Sequence, residues 1–262
     1  MSGDTVYLVT GANRGIGLAI TTLLVRRPHT IVVATSRKQH ADDLNNTAAD
    51  AHETSKIVPV LLDEQVPALS SATLPGRLLA EHGIARLDVV IANAGGSSGF
   101  KSILETDMDQ DLLYDFSVNA VGPAKLFRAV WPLLLLPSSA AGGSETVKGG
   151  KKFVLVTSSV GSIGALEEES MPTTAYGMSK AAANWFARKL SVEFRDRGLL
   201  VGIVHPGWVK TAMGQAVADA VHFKEPPLGV EESAQGVVEQ IDDLTPETSG
   251  QFLTYNGQPL PW

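Results

Sequence analysis

Along this chain, short and nearly continuous apolar runs alternate with longer stretches in which apolar residues return every three or four positions. The first run is Val6-Tyr7-Leu8-Val9, and the stretch behind it carries Leu18-Ala19-Ile20 and Leu23-Leu24-Val25. That order predicts a buried strand, a turn and a helix. The pattern repeats. Strands are expected at Thr30–Thr35, Ile57–Leu62, Leu87–Ala92, Lys152–Thr157, Leu199–Val204 and Gly250–Thr254. Helices are expected over 38–55, 64–82 with an interruption near Pro75-Gly76, 103–136, 173–197 with Gly198 as its stop, and 230–243. Strands alternating with helices at this interval predict an α/β fold of one domain over 1–262, a doubly wound parallel sheet of about seven strands with helices on both faces. Two stretches break the rhythm. Residues 137–151 are rich in Ser, Gly and Ala and read as a flexible loop. Residues 208–229 have no clean period and read as a mobile or substrate-covering segment.

Composition narrows the class. Apolar residues make up 44% of 262, enough for a sizeable core, and no run of 18 uncharged apolar residues predicts a membrane span. The chain passes from Asp4 straight into the first strand, which leaves no room for a signal peptide, so a cytoplasmic protein is expected. On that footing Asn45-Asn46-Thr47 is a polar stretch rather than a glycosylation site. There is no cysteine, hence no disulfide, thiolate metal site or thiol nucleophile. The six histidines show no metal-ligand spacing. A net charge of −7 with mixed signs argues against nucleic acid as the main partner.

In a sheet of this kind ligands bind at the carboxyl ends of the strands, and the polar residues of interest cluster there. Thr10-Gly11-Ala12-Asn13-Arg14-Gly15-Ile16-Gly17 joins the first strand to its helix. Glycines permit φ > 0 and close backbone approach, and the helix start directs free N–H groups and a positive dipole end at an anion, such as a dinucleotide pyrophosphate. After the second strand, Ser36-Arg37-Lys38 lacks the acidic residue that would hold the 2′-hydroxyl of NAD. Arginine offers a planar fork to phosphate, so Arg14 and Arg37 predict NADP(H). Asp63 stands where it could meet the adenine amino group or cap the next helix. Asn93 follows the fourth strand. Glu167-Glu168-Glu169 reads as a solvated charge run.

Tyr176 and Lys180 lie four apart on a predicted helix and share a face. An ammonium ~5 Å from the phenol at an effective dielectric of ~20 favours the phenolate by roughly 3 kcal/mol, bringing it towards the range useful for proton transfer, while desolvation acts the other way. Ser159 ends the fifth strand at the ligand edge, where its hydroxyl can hydrogen-bond a substrate oxygen. Ser162 is the second candidate. Ser158, as a strand neighbour, is expected to point away.

The glycine turn, Asn93-Ala94-Gly95, Asn119, Ser159, Tyr176-x-x-x-Lys180 and Pro206-Gly207 occur in one order along one chain. Together they resemble the classical short-chain dehydrogenase/reductases over nearly the whole length, and within them the fungal norsolorinic acid ketoreductase-like, sniffer and C-factor group. The resemblance implies a Rossmann fold and NADPH-dependent reduction of a small-molecule ketone, on an aromatic polyketide or other secondary metabolite. It implies that Tyr176 donates the proton, Ser159 orients the carbonyl, and Lys180 holds the nicotinamide ribose. Asn119 would kink its helix and hold a water in a proton relay, Asn93 would steady the central strand, and Thr211 would contact the nicotinamide carboxamide. It also implies a homo-oligomer, dimer or tetramer, with the helices at 103–136 and 173–197 as faces. One departure stands out: 17 positions separate Ser159 from Tyr176, more than is usual in the family. Two other functions fit parts of the pattern. A non-catalytic NADP(H)-binding sensor has no use for the Ser, Tyr and Lys together. An S-adenosylmethionine methyltransferase would want an acid after the second strand, where Ser36-Arg37 stands.

Overall fold

A computed structural model describes residues 3–37, 41–135, 150–168 and 171–262. Seven strands among them form one all-parallel sheet in the order β3-β2-β1-β4-β5-β6-β7. They are β1 (Thr5–Thr10), β2 (Thr30–Ser36), β3 (Lys56–Leu61), β4 (Val89–Ala92), β5 (Lys151–Val156), β6 (Leu199–His205) and β7 (Phe252–Thr254). Strands buried on both faces need apolar residues at successive positions, which is why β1, β4 and β5 read as unbroken apolar runs. β3 carries Pro59, which cannot donate to a ladder and is tolerated because β3 pairs with β2 alone.

The order reverses between β1 and β4, so the chain lays helices on both sides. α1 (Gly15–Val25), α2 (Ala41–Ala49) and α8 (Val230–Asp242) cover one face. There Ile20, Leu24, Leu44, Val237 and Ile241 pack on Val9, Val32 and Ile91. α3 (Leu74–His82), α5 (Gly122–Leu134) and α6 (Thr174–Glu193) cover the other, where Leu78, Phe127, Val130, Ala187 and Leu190 meet Leu8, Val90 and Phe153. α4 (Asp111–Phe116) leads into α5, and α7 (Ala212–Ala220) follows β6. Gly198 ends the α6 region in the left-handed conformation (φ 73°), as expected.

Several boundaries differ from the periodicity. The stretch 64–82 is two 3₁₀ turns, Pro67–Leu69 and Ser71–Thr73, followed by a helix. Pro75 lies in the first turn of that helix, where a missing N–H costs nothing, so it starts α3 rather than interrupting one. The expected helix over 103–136 begins only at Asp111. Ahead of it, Ile103 and Leu104 are 69% and 98% exposed, so they supply no buried stripe on which a helix could form. Residues 208–229, expected to be irregular, hold α7, whose N-cap Thr211 accepts from the Gly214 N–H at 3.1 Å. That segment is tied at its base: Val209 bridges Leu228, Lys210 pairs with Glu225 at 3.2 Å, and the Trp208 indole donates to the Gly214 carbonyl. Most of the expected loop at 137–151, together with Lys38 and Glu169, lies outside the described residues. No helix among the described residues is long and apolar enough to cross a membrane.

Candidate active site

The carboxyl ends of β1, β2, β4, β5 and β6 open into one cleft of about 2010 Å³. Its floor at one end is the β1–α1 turn. Gly11 and Gly15 have φ of 65° and 53°, and a Cβ on Gly17 would stand 2.2 Å from the Gly11 carbonyl oxygen. Three glycines are therefore required by the backbone itself, and what they leave open is a cradle of free N–H groups at the start of α1. Asn13 and Ile16 line it. Arg14 occupies the N-cap position of α1, and Arg37 follows β2; both are exposed, and both line the cleft. Asp63 also lines it, and its Oδ1 accepts from the Gln65 N–H at 2.9 Å in a local turn; it caps no helix, since the next 3₁₀ turn starts from Val66 and α3 from Thr73.

Asn93 knits the two central strand ends together. Its Nδ2 donates to the Thr10 carbonyl at 2.9 Å, while the Thr10 hydroxyl accepts from the N–H groups of Asn93 and Ala94 at 3.0 Å each. Asn119 sits in a π turn (Ser117–Val121) between α4 and α5, which explains why an amide could stand inside a helical pattern. Its Oδ1 accepts from Gly96 N–H at 3.0 Å. Its Nδ2 donates to Gly96 O at 2.8 Å and to Ser179 Oγ at 2.9 Å, clamping the β4 loop to α6. A Cβ on Gly95 would lie 3.2 Å from Asn119 Oδ1 and 3.6 Å from Lys180 Nζ, so both polar groups border the space over Gly95.

Tyr176 and Lys180 share a face of α6 as the spacing required, with Nζ 5.6 Å from the phenol ring centroid. Lys180 is 4% exposed, and its Nζ donates to the Val156 carbonyl at 3.3 Å. Burial pushes the ammonium down to about 8, with the Asp115 carboxylate opposing. Tyr176 moves the other way from the simple expectation. Burial raises its phenol well above the ordinary value, Asp115 adds to the rise, and only a hydrogen bond with the Ser158 side chain opposes it. Of the two opposing effects expected from the sequence, desolvation dominates in this cleft.

The serines follow the end of β5. Ser158 and Ser159 both line the cleft, and the Ser158 side chain, expected to point away, acts on the Tyr176 phenol, drawing it down against burial. The chain leaves β5 at Val156, Ser158 is still extended (φ −153°, ψ 148°), and Ser159 already opens a 3₁₀ turn. Two-residue alternation stops where the strand stops. Ser159 is buried, and its N–H donates to His205 Nδ1 at 3.1 Å. His205 is held neutral, pushed down to about 4 by burial and by the Lys180 charge, so it is an acceptor there. Ser162 is excluded: its hydroxyl donates to the Pro261 carbonyl at 2.7 Å and accepts from Ala165 N–H. The turn is set against α6 by glycines. A Cβ on Gly161 would come within 2.9 Å of Lys180 backbone and Cβ, and one on Gly177 within 2.9 Å of the Val160 carbonyl. Thr211 reaches across to the glycine turn, with Cγ2 3.4 Å from where a Gly15 Cβ would be.

One cleft therefore joins a dinucleotide-type cradle to a Ser–Tyr–Lys group, and the chain belongs to the short-chain dehydrogenase/reductase family. The profile of the short chain dehydrogenases matches residues 5–222. The proteins it resembles include carbonyl and ketone reductases. The norsolorinic acid ketoreductase of Aspergillus parasiticus is 35% identical over 262 residues, covering 99% of this chain and 92% of that one. The NADPH-bound carbonyl reductase from chicken fatty liver is 29% identical with a TM-score of 0.79, and the carbonyl reductase Sniffer of D. melanogaster is 28% identical with a TM-score of 0.80. Both structures match over all of each chain.

Proposed function

We propose that the protein is an NADPH-dependent ketoreductase in which Tyr176 donates the proton and Ser158, rather than Ser159, orients the carbonyl. The observation that carries this is that Ser158, Tyr176 and Lys180 line the same cleft as the glycine cradle, with the Ser158 side chain acting on the Tyr176 phenol. The cradle fits a pyrophosphate because the left-handed Gly11 and Gly15 and the close packing of Gly17 on Gly11 leave the N–H groups at the start of α1 facing the cleft. Arg14 and Arg37 suit a 2′-phosphate, and Asp63 the adenine end. Thr211 suits the carboxamide beside Gly15. When bound, the nicotinamide supplies hydride to the carbonyl carbon. Ser158 Oγ–H and Tyr176 Oη–H donate to the carbonyl oxygen, and the phenol proton moves onto it as negative charge develops. Lys180 then stands beneath as a charge that eases loss of the phenol proton, and Asn119 and Lys180 border the space over Gly95 where a relay water fits.

Apolar and aromatic side chains line the cleft around Tyr176: Phe100, which meets the Tyr176 ring edge-to-face at 5.9 Å, Trp208 and Met213. With the likeness to a norsolorinic acid ketoreductase, this supports a flat aromatic ketone of the polyketide type as substrate. Incubation with NADPH and a panel of diketones and aryl ketones tests the activity. Ketone-dependent loss of the nicotinamide absorbance is expected; tight NADPH binding with no turnover on any ketone would favour a sensor instead.

Arg37→Ala is expected to weaken NADPH about tenfold or more while leaving NADH nearly unchanged, since a charge-assisted bond to phosphate is worth about 1.5–3 kcal/mol. Paired titrations of both cofactors check it, and equal losses would remove the basis for NADP. The protein is also expected to be a homo-oligomer through α4 to α6, where Leu113, Val121, Trp185 and Val192 are exposed. Sedimentation should show a dimer or tetramer that Trp185→Glu dissociates; a monomeric parent would contradict this.

A further inference from the structure

We propose that Asp115 is a positioning residue for the acid–base pair: a fixed buried charge that keeps the Lys180 ammonium charged and the Tyr176 phenol protonated through the working pH range. Asp115 lies on α4, one helical turn before Asn119, and is 0% exposed. Its Oδ1 accepts from Ser98 N–H at 2.7 Å. Its Oδ2 is buried with no hydrogen-bond partner. A buried carboxylate oxygen without a donor is costly unless a positive charge compensates it.

The compensating charge is on the neighbouring helix. α4 packs directly on α6, and the Asp115 carboxylate acts on both α6 groups, favouring the charged form of Lys180 and disfavouring that of Tyr176. Every other charge facing this pocket has its own anchor or a weaker claim. Asp111, one turn earlier on α4, is held by Lys101 at 2.7 Å. His205, at the end of β6, is neutral and adds no counter-charge. Ser98 contributes only hydrogen bonds. Burial, helped by the Asp111 charge, leaves the Asp115 carboxyl above its ordinary value, with the Ser98 bonds and the Lys180 charge opposing the rise. Lys180, buried and with a long 3.3 Å bond to a carbonyl, would lose its proton more readily without an anion near it. The Ser–Tyr–Lys group accounts for none of this, because Asp115 does not line the cleft.

Asp115→Asn separates charge from structure, since the amide oxygen can still accept from Ser98 N–H. The first readout needs no cofactor: competitive acetylation of Lys180 across pH in the ligand-free protein, followed by peptide mass spectrometry. The parent midpoint is expected near 8, and Asp115→Asn should lower it by about one pH unit. The second readout rests on the reductase assignment. The alkaline limb of ketone reduction should move down by the same amount, a roughly tenfold loss at a pH on that limb. Asp115→Glu keeps the charge and should restore the parent limb even if kcat falls. If Asp115→Asn acetylates and turns over with the parent pH dependence, Asp115 only holds Ser98 and the proposal fails. An acetylation shift in a protein that reduces no ketone would uphold the charge role and reject the reductase instead.

Discussion

Tyr176→Phe is expected to lower kcat by about 10³-fold or more while NADPH affinity stays near that of the parent. The substitution removes one oxygen and keeps the ring, so the edge-to-face packing on Phe100 and the α6 backbone are retained. What is lost is the proton that must reach the carbonyl oxygen as hydride arrives, and positioned acid catalysis is worth about 10²–10⁴. The loss should fall on kcat and kcat/KM together, the mark of an interaction made in the transition state. Stopped-flow oxidation of NADPH and fluorescence titration of the cofactor give the two halves. Turnover within tenfold of the parent would mean that another group is the acid, and Ser158 would be the first to examine.

The second large effect distinguishes adjacent serines. Ser158→Ala is expected to reduce kcat about 10²-fold, the cost of removing one preorganised donor from a developing oxyanion. Ser159→Ala should stay close to the parent rate, because Ser159 is anchored through its backbone N–H to His205, which alanine retains. Removing the Ser158 side chain should also push the Tyr176 phenol further up, since it draws the phenol down against burial. Parallel steady-state kinetics on the two variants decide the matter. A larger loss from Ser159→Ala than from Ser158→Ala would return the role to the residue that strand alternation favoured.

The strands and the glycine turn were legible in the sequence because both faces of the sheet are buried and the turn needs residues without a Cβ. The pairing of Tyr176 with Lys180 was legible because helical spacing alone brings them to one face. Which of Ser158 and Ser159 faces the substrate was not, since alternation predicts facing only while a strand continues, and β5 ends at Val156. Gly161, two positions past Ser159, was the available sign that the chain was already turning; its role against Lys180 is visible only once α6 is placed. The start of α4 was misplaced because Ile103 and Leu104 are apolar yet exposed. α7 was missed because its neighbours Trp208, Phe223 and Pro226 blur the period. Asp115 carried no sequence signal: an acid among Leu112, Leu113 and Phe116 looks like an exposed helix position until α6 closes over it.

The central claim is one of placement, and a crystal structure with NADP and an unreactive aryl ketone analogue tests it most directly. The account predicts the ketone oxygen within hydrogen-bond distance of both Ser158 Oγ and Tyr176 Oη, its carbonyl carbon facing the nicotinamide, and the 2′-phosphate beside Arg37. A phenol turned from the ketone, or a dinucleotide seated away from the glycine turn, would contradict it.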